Sequence, residues 1–213
     1  MKIDKSQKQE ILYQSFVALK DEWEEDGNDS NITELIANMA EIDLNIALDM
    51  WKYILQNNSD HVVGNKGKDR GYSKSVRENF ACKITSDVLD EIKNKCDIFD
   101  LANAIINDNC ILEQLFGLSA CINESQISII SEFINRGSFD NADKLLQFVY
   151  NNPNNKAKGN EDWSNSFGTI IQKLIDEISQ NDESVQRFIY DWIQRIADPK
   201  EKAKANIRYT SLF

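Results

Sequence analysis

The residues best able to do chemistry in this 213-residue chain are one histidine, four cysteines and many carboxylates. His61 stands in the segment NNSDHVVGNKGKDRGYSKS, residues 57–75. Nucleophilic catalysis by serine or cysteine needs a base within hydrogen-bond reach, itself oriented by a third group. No such pattern of nucleophile, acid and glycine surrounds His61. Helical di-iron centres repeat Glu-x-x-His on facing helices, which one histidine cannot supply. Cys82, Cys96, Cys110 and Cys121 form no C-x-x-C pair, so they match neither a zinc finger nor a thioredoxin-type site. They read as buried free thiols, in keeping with a reducing cytoplasm. The run GNKGKDRG, residues 64–71, is glycine-rich and basic. A phosphate-binding loop needs G-x-x-x-x-G-K-[ST] between a strand and a helix, so that backbone amides and the lysine converge on the phosphates. Here the spacing differs and Asp69 occupies the hydroxyl position.

Asp87, Asp90 and Glu91 share one neighbourhood, as do Asp176 and Glu177. Paired carboxylates can perform acid and base work or hold magnesium. In a chain with 35 acidic residues, such neighbours arise from composition, and they read as solvated faces. No catalytic residue, metal ligand or cofactor site is therefore assigned.

The formal charge of −11 opposes a main surface that grips DNA or RNA, because lysine and arginine supply most of that affinity. The charge is uneven. From His61 to Lys83, six basic residues face two acidic ones, a local +4 that leaves −15 for the remainder. Long loops inside helical domains are usually functional or disordered. His61, Lys66, Lys68, Arg70, Lys74 and Arg77 are the candidate partner-binding residues.

Helices must position these groups. Two prolines and eight glycines, with abundant Asn, Asp, Lys, Glu, Ile and Leu, favour helices joined by short polar turns. The polar N-terminus precedes no apolar run of signal length, and nowhere do eighteen apolar residues stand together, so a soluble, cytoplasmic chain with no membrane partner is expected. In Asn31 to Asn58, Ile32, Leu35, Ile36 and Met39 share one helical face, with Asn31 as N-cap and Glu34 three residues on. Asp43 starts a second helix whose stripe is Leu44, Ala47, Leu48, Trp51, Ile54 and Leu55. Two or three intervening residues predict an antiparallel hairpin. The Trp51 and Tyr53 ridge reads as core rather than as a platform for stacked bases.

Ninety-five positions on, QISIISEFINRGSFDNADKLLQFVYNN overlays this hairpin without a gap. Leu35 falls on Ile130, Met39 on Ile134, Ala47 on Ala142, Met50 on Leu145, Trp51 on Leu146, Tyr53 on Phe148 and Ile54 on Val149, with Leu48 against Asp143 as a mismatch. With successive two-helix units and a small alanine on each second helix, the chain resembles the α-helical repeat proteins of the HEAT and armadillo kind. The resemblance implies an all-α fold of antiparallel hairpins stacked as an α-α superhelix, and a scaffold that binds proteins or, less commonly, nucleic acids.

The rest of the chain continues in the same style. Asp4 to Trp23 predicts a first helix with Leu12, Phe16, Leu19 and Trp23 on one side. Thr85 and Ser86 can cap a fresh helix before Val88 and Ile92. Shorter helices are expected over 98–106 and 111–122. Gly137 is placed to end a helix in the left-handed conformation, and Asn151 to Asn160 is the clearest linker. A single domain with a sub-boundary near 151–162 follows. Beyond it, Phe167 to Ile196 predicts a third hairpin. Asp198, Pro199 and Glu201 open a terminal helix as N-cap, N1 proline and capping-box glutamate.

The functional expectation is a non-enzymatic scaffold whose acidic surface binds a basic protein, in the manner of an immunity or antitoxin-like partner. The alternative is a nucleic-acid-binding or base-processing helical-repeat protein that uses the basic loop 61–83.

Overall fold

The computed structural model describes residues 3–20, 29–58, 87–117, 122–152, 166–179 and 182–213. In chain order these form α1 (Lys5–Leu19), α2 (Asp29–Ala40), α3 (Leu44–Asn58) and α4 (residues 87–93). Next come α5 (Ile98–Asn107) and α6 (Asn109–Leu112), which runs into a π-helical turn (Glu113–Gly117). The remaining helices are α7 (Glu124–Asn135), α8 (Phe139–Asn151), α9 (Phe167–Glu177), α10 (Glu183–Gln194) and α11 (Pro199–Leu212). No strand occurs among the described residues, as the composition predicts.

The helices begin where short polar side chains satisfy their first free amides. Six aspartates do this work: Asp4, Asp43, Asp97, Asp108, Asp182 and Asp198 each accept from one or two backbone N–H groups of the following turn. Asn123 and Ser166 cap α7 and α9 in the same way. Asp4 and Asn123 form full capping boxes, their own amides bonded by Gln7 and Gln126. Each such cap contributes about 0.5–2 kcal/mol. Asn31, expected as a cap, lies inside α2, because that helix starts two residues earlier at Asp29. At the far end of α7, Gly137 takes a φ of 70°. The Ser138 amide bonds the Phe133 carbonyl and the Gly137 amide that of Ile134, the Schellman pattern that a glycine adopts without a Cβ penalty.

The chain divides into two compact units, residues 1–104 and 105–213. In the first, α2 and α3 form the antiparallel hairpin, and α1 packs on α2. Ile32, Ile36, Met39, Ala47, Leu48, Trp51 and Ile54 are buried between them, which makes Trp51 core, as its helical spacing predicts. In α4, Val88, Leu89 and Ile92 are fully buried.

In the second unit, α7 and α8 form the other hairpin, and α9 packs on α7. The ninety-five-residue offset holds for three of the four helix ends, the second helix of the later hairpin stopping at Asn151, two residues short of the position that matches Asn58. Asp29–Ala40 shifts onto Glu124–Asn135, and Leu44 onto Phe139. The buried alanines Ala47 and Ala142 correspond, as do Ile32 and Ile127, and Met39 and Ile134. Phe167 to Ile196 forms α9 and α10, packed on each other. The terminal α11 lies against both, with Pro199 at its start and Tyr209 between Tyr190 and Phe213 at its end. Glu201 is not spent on a capping box; its side chain lies over Gly168 of α9.

Segment 111–122 departs from the single helix expected there. The chain winds into the π turn at Glu113–Gly117, and two buried amides receive its carbonyls. Gln126 donates to the Leu115 carbonyl, and Asn152 to that of Phe116 at 3.2 Å. Asn152, which opens the polar stretch read as a linker, is 1% exposed and belongs to this core. Most of the expected boundary near 151–162 lies outside the described residues.

Candidate binding groove

In the first unit α1 is the least covered helix. Phe16 is its only buried residue, while Ile11, Tyr13 and Val17 are 53%, 46% and 41% exposed. Helices of this size normally bury one apolar stripe, so α1 leaves part of its apolar surface open.

That surface lines a groove of about 640 Å³ between α1 and α3. One wall is Ser6, Gln9, Glu10, Tyr13, Phe16, Val17 and Lys20, spaced by three and four along α1; the other is Ile46, Asp49, Met50 and Tyr53 along α3. Helical spacing on both walls means the groove runs along the helices. Two contacts fix its ends. Lys8 on α1 pairs with Glu41, just before α3, at 3.6 Å. Lys20, which ends α1, donates to the Tyr53 hydroxyl at 2.8 Å, its ammonium 4.2 Å from the ring centroid. The helices therefore run parallel, and the span from Lys8 to Lys20 is roughly 18 Å at 1.5 Å per residue. The Phe16 ring meets Tyr53 edge-on, with centroids 6.1 Å apart, and closes the groove beneath Lys20.

The polar groups of the lining have unequal freedom. Lys20 is held by Tyr53. Glu10 accepts from Gln14 one turn on, at 2.9 Å. Asp49 is 78% exposed and stands 3.5 Å from Lys52 in an i,i+3 pair. Such an exposed pair contributes between 0 and about 1 kcal/mol, so Asp49 can exchange it for a better-placed cation. The arrangement suits an apolar ligand surface carrying positive charge.

His61, Lys66, Lys68, Arg70, Lys74 and Arg77 lie outside the described residues, as do Cys82 and Cys121. Cys96 and Cys110 are half-buried, short of the full burial expected of them, and neither is in a disulfide. Cys96 donates to the Ile92 carbonyl at 3.4 Å. Burial, and then the charges of Asp97 and Asp100, push its pKa up to about 11, opposite to what a nucleophilic thiolate needs. Among the described residues no group of three or more His, Cys, Asp or Glu side chains could hold a metal ion. Asp176 receives Arg208 on both carboxylate oxygens, at 2.6 and 2.8 Å, a structural contact between α9 and α11. No helix among the described residues is long and apolar enough to cross a membrane.

Sequence reasoning did not single out Tyr13, Val17, Ile46 or Asp49. The signal was available in α1, where positions 6, 9, 10, 13, 17 and 20 make a second stripe beside the one centred on Phe16. The chain matches no protein-family model, no curated protein and no solved structure.

Proposed function

We propose that the protein is a non-enzymatic scaffold of helical hairpins that binds a basic protein partner. The carrying observation is the groove between α1 and α3, whose exposed Tyr13 and Val17 stand beside Glu10 and Asp49 in a chain of net charge −11. An open apolar strip rimmed by polar groups is the usual form of a protein-interaction surface. A strong net negative charge steers a basic partner toward it and accelerates encounter. The reading includes HEAT- or armadillo-like stacking, supported by the recurrence of the hairpin with three of its four helix ends in register. An immunity or antitoxin-like role, in which an acidic protein neutralises a basic enzyme, is its most specific version.

Affinity capture with the full chain, from the cells that encode it, tests the reading at low and high salt. A basic protein recovered at low salt, whose affinity for the purified chain falls as salt rises, supports it. Recovery of no protein at either salt overturns it.

A further inference from the structure

Of the described helices, α11 is the most basic. Lys200, Lys202, Lys204 and Arg208 stand against Glu201 alone, a local +3 in a chain of −11. It is also held by little apolar burial. Ala205 is its only buried residue, while Ile207 and Leu212 are 68% and 43% exposed. A helix of this length ordinarily buries a whole apolar stripe, and that burial supplies most of its stability.

What holds α11 in place is polar and small. Glu201 lies over Gly168 in the first turn of α9, and Arg208 reaches both carboxylate oxygens of Asp176 near the other end of that helix. The two helices therefore run parallel and in register, with a carboxylate at the positive end of the α9 dipole and a guanidinium at the negative end. Against α10, Lys202 donates to the Gln194 carbonyl at 2.9 Å, and the Tyr209 ring lies 5.9 Å from that of Tyr190. Both supporting helices are net negative. Asp176 and Glu177 outweigh Lys173 on α9, as Glu183 and Asp191 outweigh Arg187 on α10. The Arg208 and Asp176 side chains are 52% and 50% exposed, so water and salt screen their attraction.

The structure thus seats a basic helix on an acidic face of its own chain. On the reading that this protein binds a basic partner, we infer that α11 is an autoinhibitory strap: it fills, on α9 and α10, the seat of a basic helix of that partner and gives way to it. The seat dictates the spacing of its occupant. Where Ala205 is fully buried only a small residue fits, and an arginine three positions later meets Asp176. Release requires only the connection of residues 195–198 to turn. A released α11 stays at high local concentration, so the partner competes with it.

Amide hydrogen exchange of the full chain reads the release. The α11 amides are expected to exchange faster than those of α9 and α10, and Arg208→Glu is expected to speed α11 alone by about fivefold. Lys204→Glu makes the same charge change at an exposed position with none of these contacts and is expected to leave α11 near the parent. A fluorescein-labelled peptide of residues 198–213, followed by anisotropy, reads the seat. It is expected to bind the Arg208→Glu chain more tightly than the parent, by about the same factor, because the competing strap is weakened. Asp176→Lys, on the seat, is expected to lose this peptide and to take up instead one carrying Arg208→Glu. Circular dichroism of each variant confirms the parent fold.

Exchange of α11 in step with α9 and α10, in the parent and in Arg208→Glu alike, overturns the strap. So does an equal response to Lys204→Glu. Absence of saturable peptide binding to Arg208→Glu below about 1 mM, or binding indifferent to Asp176→Lys, overturns the seat. A basic protein captured from cells that binds Arg208→Glu no more tightly than Lys204→Glu overturns the inference while the wider basic-partner reading stands. Capture of nothing by the parent and Arg208→Glu alike removes that reading, and the autoinhibitory role with it.

Discussion

A Cβ built on Gly168 would lie 2.6 Å from the Cβ of Glu201, closer than two such atoms can approach. Gly168 sits in the first turn of α9 and Glu201 in the first turn of α11, so the absent side chain is what lets the two helices meet. Gly168→Ala is expected to destabilise the fold by about 1–3 kcal/mol through overpacking, despite the higher helix propensity of alanine. Urea denaturation measures this. Adding Glu201→Ala is expected to leave most of the loss in place, because the clash includes a Cβ that alanine retains.

The buried amides that receive the π-turn carbonyls give a second prediction. Asn152→Leu leaves the Phe116 carbonyl without that bond and is expected to cost about 1–3 kcal/mol. Gln126→Leu removes the bond to Leu115 and also the capping-box contact with the Asn123 amide, so an equal or larger loss is expected. Because both bonds hold one turn, the double variant is expected to lose less than the two single losses combined. Denaturation midpoints of the three variants check this.

Trp51 is fully buried, and its indole N–H has no hydrogen-bond partner among the described residues. A buried donor of this kind carries a desolvation cost that phenylalanine does not. Trp51→Phe is therefore expected to cost under about 1.5 kcal/mol, whereas Trp51→Ala, which opens a cavity, is expected to cost about 3–5 kcal/mol. Thermal unfolding of both variants distinguishes the contributions of shape and polarity.

The raised pKa of Cys96 predicts a slow thiol. Its alkylation by iodoacetamide at pH 7–8 is expected to lag behind that of the unfolded chain, whose thiol titrates near 9.0, and to rise about tenfold per pH unit toward pH 11. Between those two values the unfolded thiol has lost its proton and the folded one keeps it. This group's contribution to stability therefore falls as pH rises from 9 to 11. Mass spectrometry of the Cys96 peptide follows the modification.

Much of the fold was legible because it is written in local signals. Asp43 and Asp198 cap the helices that their positions announce, Gly137 stops α7, and the hairpin recurs with three of its four helix ends in register. What escaped depended on contacts distant in sequence. Leu12 and Leu19 share the Phe16 stripe, yet only Phe16 is buried, because α1 packs chiefly on α2 and meets α3 at Tyr53, where the Phe16 ring lies. The π turn needs Gln126 and Asn152, eleven and thirty-six residues from the carbonyls they serve. The groove was hidden for the same reason. Asp49 and Val17 are unremarkable in their own helices and acquire meaning only when those helices run side by side. The basic candidates from His61 to Arg77 lie outside the described residues.

The aspartate caps separate two roles that the composition merges. Asparagine caps a helix about as well as aspartate and carries no charge. Replacing Asp4, Asp43, Asp97, Asp108, Asp182 and Asp198 by asparagine removes six negative charges, taking −11 to −5, while leaving an acceptor at each helix start. The acidity of this chain is thus partly architectural. Its electrostatic reach can be turned down as an independent variable while the scaffold keeps its shape.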